Sequence, residues 1–439
     1  MDTISTHDDE ATRARLGRVA EDALGWMRSA GFEHAQVTAS RLARDEVNIS
    51  HNEASLMRST EAGKLALLGI VGGRRASAEL AELDDAVAVR ARIEALFAGA
   101  ASAPVDDANA VSSGQQASIE KGPLHADADA IAGAVEHLLA HRARHTPKMM
   151  LDEAFVAHER LDACTLTSGG SALACRLGTY EISAFGTARD GRRSSSFAMA
   201  GGHCDELSGR PPAERFGIAE MLESTERQID ASPYGARFTG DVVLAPQAVT
   251  DLVGWLLGQL DDTALIAGTS LYLGSVGTRI AAPLLSLRSR FDAPGCAPFS
   301  ADAFVAPPVE VLTDGVLQTL LPSLYGSRKT GLRHVPTGPS GWELAAGPTE
   351  RSDLVASVTR GALVGRLSMG RPAANGDFSG VIKNSFRIES GQVGQALAET
   401  MISGNVARML EAVAGASRER LDEGAWLLPW LLVTGLHFS

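Results

Sequence analysis

Hydrophobic positions divide the chain into segments of two periodicities. Over residues 12–29, Leu16, Val19, Ala20, Ala23, Leu24 and Met27 recur at helical spacing on one stripe, and Gly31 ends the helix they predict. Five short segments with strand character follow, at 35–41, 45–51, 53–60, 63–71 and 74–79. Polar, turn-forming breaks such as Asn52 and Glu61–Gly63 separate them, which predicts an antiparallel meander. Asp84 is placed to cap a second helix, Ala86–Ala98, whose buried face carries Val89, Ile93, Leu96 and Phe97.

Residues 99–118 are rich in Ala, Ser, Pro and Asp and read as a surface connection. The pattern then recurs. A helix at 127–145 leads into strand-like segments through 150–204, with turns at Ser168–Ser171 and Arg189–Arg193, and then into a helix at Ala213–Ile229. Helix–meander–helix occurs twice, as a pattern without residue-level repetition.

Pro233, Gly235 and Gly240 cluster at a boundary, dividing the chain into residues 1–235 and 236–439. Beyond it the pattern predicts a strand (Asp241–Ala245) and a helix at 247–260 that Pro246 starts. A hairpin follows at Val309–Thr319, turning at Asp314-Gly315, and another at Val381–Leu397, turning near Ser390-Gly391. A helix over Ala398–Ala412 and a closing strand near 430–435 complete the chain. The fold class expected is α+β in two domains: an N-terminal helix–antiparallel meander–helix domain, possible duplication included, and a C-terminal, mostly antiparallel β domain with flanking helices.

Bulk properties narrow the function classes. The chain has 439 residues, more than one ordinary core holds, with 45% hydrophobic and 21% charged residues, as in soluble globular proteins. A formal net charge of −13 works against a nucleic-acid or anionic-membrane partner. The 4 cysteines, Cys164, Cys175, Cys204 and Cys296, form no C-x-x-C pair and no disulfide framework, so reduced thiols in a cytoplasmic protein are expected. The acidic start M-D-T-I-S-T-H-D-D-E shows no signal peptide, and apolar runs such as 427–433 are too short to span a bilayer.

Candidate chemistry is sparse. His158-Glu159 would begin a zinc helix, but positions 162 and 163 are Asp162 and Ala163. His137, His141 and His145 stack at helical spacing, yet Arg142 and Arg144 intervene and no further ligand has an argued place, so a solvated face is expected. In Gly376-Asp377-Phe378-Ser379-Gly380 the serine precedes a strand, whereas a nucleophile elbow needs a helix after its turn. Asp377 there is expected to accept backbone N–H bonds. Tyr325-Gly326-Ser327-Arg328-Lys329, beside the glycine- and proline-rich 337–341, offers basic groups for a peptide carboxylate or backbone, or a solvated face. No phosphate loop is present.

Several stretches fall in one order: Arg58–Gly63, Gly72-Gly73-Arg74, Gly268-Thr269-Ser270, Asp314–Gln318, Tyr325–Lys329, Gly376–Ser379 and Ser403-Gly404-Asn405. In that order they resemble the TldD/PmbA family of zinc metalloproteases across almost the whole chain. The resemblance implies two branches. TldD-type subunits carry zinc on a His-Glu-x-x-x-His helix with a later cysteine. PmbA (TldE)-type subunits lack these ligands and pair with the first type to cleave unfolded peptides. The matching helix here, Pro246–Gln259, holds no histidine, and no cysteine follows Cys296. The Gly-Asp-Phe-Ser turn is typical of the PmbA branch. The loop Pro336–Trp342 departs from the family's usual Asn-Ala-Gly-Gly type through Pro339 and Trp342.

The resemblance therefore implies a metal-free subunit without catalytic residues of its own. Tyr325, Arg328, Lys329, Trp342, Asp377, Phe378 and Ser379 are its substrate-channel candidates, and zinc is expected on a TldD-type partner. The competing readings are a homodimeric, non-proteolytic peptide-binding or maturation factor, and a zinc-independent tailoring enzyme using Asp377–Ser379. In each the ligand is a peptide or unfolded protein.

Overall fold

The computed structural model describes residues 2–338, 341–398 and 400–439, with side chains from Glu10 onward. Its first half is built on one sheet. The elements are α1 (Asp2–Ala30), β1 (His34–Ser50), β2 (Glu53–Val71), β3 (Arg74–Leu80), α2 (Ala86–Ala100), β4 (Gln116–Lys121), α3 (Ala128–His145), β5 (Met149–Thr167), β6 (Ala172–Asp190), β7 (Arg193–Ser194), β8 (Ala198–Cys204) and α4 (Ile218–Arg227). Strand order is β3-β2-β1-β5-β6-β4, with β8 also on β6. The two helix–meander–helix units thus share a sheet, joined where β1 runs antiparallel to β5.

Two of the expected breaks are not breaks. Segments 35–41 and 45–51 are one strand, as are 53–60 and 63–71, because Gly63 pairs in register with Arg41 and the ladder continues. Charged residues along these strands, some of them buried, neutralise one another. Arg44 bonds Glu46, Glu159 and Glu181, and Arg58 also reaches Glu46. Burial alone would raise the Glu46 carboxyl, but Arg44, Asn48 and Arg58 hold it down at about 2. The real turn is at His51-Asn52, both with positive φ. The surface connection 99–118 also ends in structure, since β4 joins the sheet parallel to β6.

The second half holds β9 (Phe238–Leu244), α5 (Pro246–Leu260), α6 (Asp262–Ala267), β10 (Leu287–Ser289), β11 (Glu310–Thr313), β12 (Val316–Leu317), α7 (Leu324–Thr330), β13 (Trp342–Leu344), α8 (Arg351–Ala356), β14 (Arg360–Val364), β15 (Arg366–Ser368), β16 (Asp377–Lys383), β17 (Ser385–Glu389), β18 (Gln392–Leu397), β19 (Thr400–Asn405), α9 (Val406–Glu411), β20 (Val413–Asp422) and β21 (Trp426–Phe438). The fold is α+β, mainly antiparallel, as expected. One expectation fails: residues 400–405 are strand β19, not the start of a helix over 398–412. Strands β16 and β21 flank the segment with ladder partners, and Thr400 and Ile402 alternate into the core. Tertiary pairing overrides local helical spacing there.

The core of this half packs α5 against the sheet through Ala248, Val249, Leu252, Val253 and Leu256. Phe438 closes it, fully buried and stacked on Phe238 with ring centroids 4.6 Å apart. The two sheets meet along a seam in which backbone touches backbone. The His203 N–H donates to Glu423 O at 3.1 Å. A methyl on Gly202 would sit 2.5 Å from Glu423 O, and one on Gly424 (φ +86) would sit 2.7 Å from His203 O. Both positions need glycine for clearance, and Gly424 needs it for its dihedral as well.

Phe438→Ala should cost about 3–5 kcal/mol in chemical denaturation, as a cavity in a packed core does. Gly424→Ala should cost about 1–3 kcal/mol through overpacking and speed proteolytic cleavage at the seam.

Candidate functional site

The residues nominated from the sequence fall on three separate elements. Gly376 (φ +90) turns the chain into β16, so Asp377 begins a strand. Its carboxylate accepts from Asn405 Nδ2 at 2.9 Å and Asn375 Nδ2 at 2.8 Å, and these two donors hold it below the usual carboxylate range. Asn405 in turn caps α9 by accepting the Arg408 N–H. The bonds expected from backbone N–H groups therefore come from side-chain amides. Phe378 is buried, while Asp377 and Ser379 lie on the exposed face of β16. The turn abuts α5, for a methyl on Gly376 would lie 3.1 Å from the Trp255 ring.

Tyr325, Arg328 and Lys329 lie on α7, which Ser323 caps. They reach across to the N-terminal half. The Tyr325 hydroxyl donates to Asp106 Oδ2 at 2.7 Å, Lys329 pairs with the same oxygen at 2.8 Å, and Arg328 donates to Asp107 O at 2.7 Å. Trp342 lies half-buried in β13, paired parallel to Trp426. It walls a small depression with Cys296 and Thr337. Pro339, from the atypical loop, lies outside the described residues.

None of the seven lines the pocket at the seam. That pocket lies between β8 and α4 of one half and the strands of the other, with about 720 Å³ of empty space open to solvent. Its walls are largely apolar: Met199, Phe216, Met221, Phe386, Leu421 and Trp430. Polar side chains face it too, among them Arg351, Asn384 and Glu423. Arg351 spans the seam, donating to Glu220 at 3.0 Å while its guanidinium lies 4.4 Å from the centre of the Trp430 ring. Asn384, with φ +52, has both its amide N and O buried without a hydrogen-bond partner. Burial, with Asp422 adjacent, pushes the Glu423 carboxyl up to about 7. Glu423 gave no sequence signal beyond a polar turn between two strands. Asn384 did carry one, since an asparagine between Lys383 and Ser385 in a strand run suggests a left-handed break.

Helix α5 opens onto the same pocket through Pro246 and Gln247. Asp251 is its one ionisable residue. Burial raises that carboxyl to about 6, against the pull of Arg366. Gln259 is committed to the Leu271 N–H at 3.0 Å. One carboxylate without imidazole or thiolate is not a zinc donor set, so α5 does not fit the metal that the family resemblance implies. The described residues contain no group of three or more His, Cys, Asp or Glu arranged to hold an ion. The three stacked histidines of α3 do not change this. His137, His141 and His145 lie ring on ring, with centroids 6.4 and 4.6 Å apart.

A helix-backed antiparallel sheet of this order, joined at a glycine seam to a duplicated meander, defines a two-sheet α+β protein with an interdomain pocket. Residues 238–439 match the model of the PmbA/TldA metallopeptidase C-terminal domain. "Metalloprotease PmbA" of Escherichia coli O157:H7 is 24% identical over 207 residues, which span 44% of this chain and 45% of that protein. Among solved structures, TldE from Thermococcus kodakarensis superposes with a TM-score of 0.81 at 16% identity, covering 96% of this chain and 100% of that one. A Bacteroides thetaiotaomicron protein gives 0.81 at 19% identity, covering 96% and 98%. The structural likenesses establish the fold. The C-terminal part of the chain, residues 238–439, is therefore similar to the C-terminal domain of the PmbA/TldA metallopeptidases.

A carboxyl whose pKa rises on folding holds its proton more tightly in the folded state. Its contribution is therefore fully present below the unfolded value of about 4.3 and is lost as pH rises through about 7. Glu423→Gln should flatten this part of the profile. In thermal melts from pH 5 to 8, the variant should lose less melting temperature than the parent, with the two closest at pH 5.

Proposed function

We propose that this chain is the zinc-free, PmbA/TldE-like subunit of a peptidase of the PmbA/TldD type. It shapes the peptide channel, and a TldD-type partner supplies zinc and the cut, in cytoplasmic proteolysis or peptide maturation. The observation that carries this reading is helix α5. It packs into the core within the stretch that matches the family's C-terminal domain, yet its one ionisable side chain is the partly buried Asp251 and it holds no histidine or cysteine. A helix kept for its packing while its donors are absent is what a channel-forming subunit requires. The Asp377 turn beside Trp255 supports it, since it sets a polar, rigid edge next to that helix. Tyr325, Arg328 and Lys329 act in this reading by fixing α7 to the N-terminal half, and so hold the channel wall in place.

The test is purification of this chain alone and together with a TldD-type zinc subunit. Alone, it should carry no stoichiometric zinc by elemental analysis and leave casein-derived peptides intact. Together, the two should co-elute as a heterodimer and cleave them. Stoichiometric zinc and cleavage by the lone chain would overturn the proposal. A stable homodimer that binds peptide and ignores the partner would favour the non-proteolytic factor.

A further inference from the structure

We propose that the seam pocket is a receptor for the amino terminus of a peptide with apolar side chains. In it Glu423 takes the ammonium group, the Asn384 amide takes the backbone of an adjoining residue, and the apolar wall takes a side chain. The inference rests on the peptide-handling reading above and names what part of a peptide the chain would hold.

The charges around the pocket are nearly all spent. Glu220 holds Arg351, and Asp422 holds Arg290 at 2.7 Å. The Glu423 carboxylate makes no hydrogen bond or ion pair among the described residues, although its backbone is bound at both N and O. An acid set into an apolar recess without a cation is costly unless a cation arrives. With Arg351 already shared between Glu220 and the Trp430 ring, the pocket has no cation to offer an anionic ligand, and it has the vacant acid for a positive one.

Asn384 supplies the second point of recognition. Its amide nitrogen, a donor, and its amide oxygen, an acceptor, are both buried and both unmet. Along an extended peptide the N–H and C=O of a single residue point to the same side, which is how strands pair. A side-chain amide fork matches that pair. The recess is open to solvent on one side, and its Met199, Phe216, Met221 and Leu421 wall suits an aliphatic side chain. The raised Glu423 carboxyl agrees: an incoming ammonium would favour the ionised form, and the carboxyl's proton would leave to solvent.

The experiment is isothermal titration of the full-length chain at pH 7.5 with three probes: leucyl-leucinamide, N-acetyl-leucyl-leucinamide and Nα-acetyl-lysinamide. The free amine should bind at least tenfold more tightly than its acetylated form, and the lysine probe should bind as weakly as the latter. Glu423→Gln should remove the preference. Equal binding of the first two probes, or no binding of either, overturns the proposal. Preference for the lysine probe overturns it in favour of a side-chain amine site. The comparison on the parent chain stands even if the variant folds poorly. Cleavage of acetylated peptides by the paired subunits, without amine preference here, would leave the peptidase reading intact and remove this one alone.

Discussion

The contact of Gly202 and His203 with Glu423 and Gly424 sets the distance between the two sheets. Because neither glycine carries a Cβ, backbone meets backbone, and one hydrogen bond of 3.1 Å pins the turn between β20 and β21 onto β8. Everything at the pocket follows from that spacing. It brings Glu423 into an apolar recess, places Asn384 with its amide facing no partner, and lets Arg351 reach from α8 to Glu220 on α4. A residue of any size at either glycine would push the halves apart and return Glu423 to water. Polar groups would then be hydrated rather than available.

Further contacts brace the same arrangement at a distance. Helix α7 clamps onto Asp106 and Asp107. Arg366 lies 4.2 Å from the Phe197 ring and Arg227 4.2 Å from the Phe386 ring, each crossing the seam. Lys121 donates to Ala293 O at 2.6 Å. Single exposed pairs contribute little, but several that cross one boundary restrict rotation of one half on the other. The site is therefore held by the whole length of the boundary, while the recognition groups occupy only its middle.

Much of the fold was legible in the residues. The stripe on α1 from Leu16 to Met27 and the Asp314-Gly315 hairpin are local signals, and local physics decides them; the cap before α2 is Asp85, one residue on from the expected Asp84, which pairs with Arg15 instead. The strand lengths in the first sheet were not legible, because Glu61–Gly63 reads as a turn until its ladder partners on β1 are known. Residues 400–405 misled for the same reason, since helical spacing lost to two waiting strand edges. Of the site, the turn at Asp377 was visible, but its amide donors, Asn375 and Asn405, were not, for they come together only when β16 pairs with β19. Glu423 was invisible, as an acid in a surface turn is the commonest thing a sequence contains.

By itself the sequence determined most of the element types, the repeated helix–meander–helix pattern, the absence of histidine from α5 and of cysteine after Cys296, and the order of stretches that resembles the family. Those are properties of neighbouring residues or of composition, and no contact is needed to read them. The tertiary structure alone decided which polar residues share an environment. It set Tyr325, Arg328 and Lys329 against the other half, and it set Glu423 and Asn384 facing one cavity. Burial and the distance between sheets, not residue identity, determine whether a carboxylate is an ordinary surface charge or a group in want of a partner.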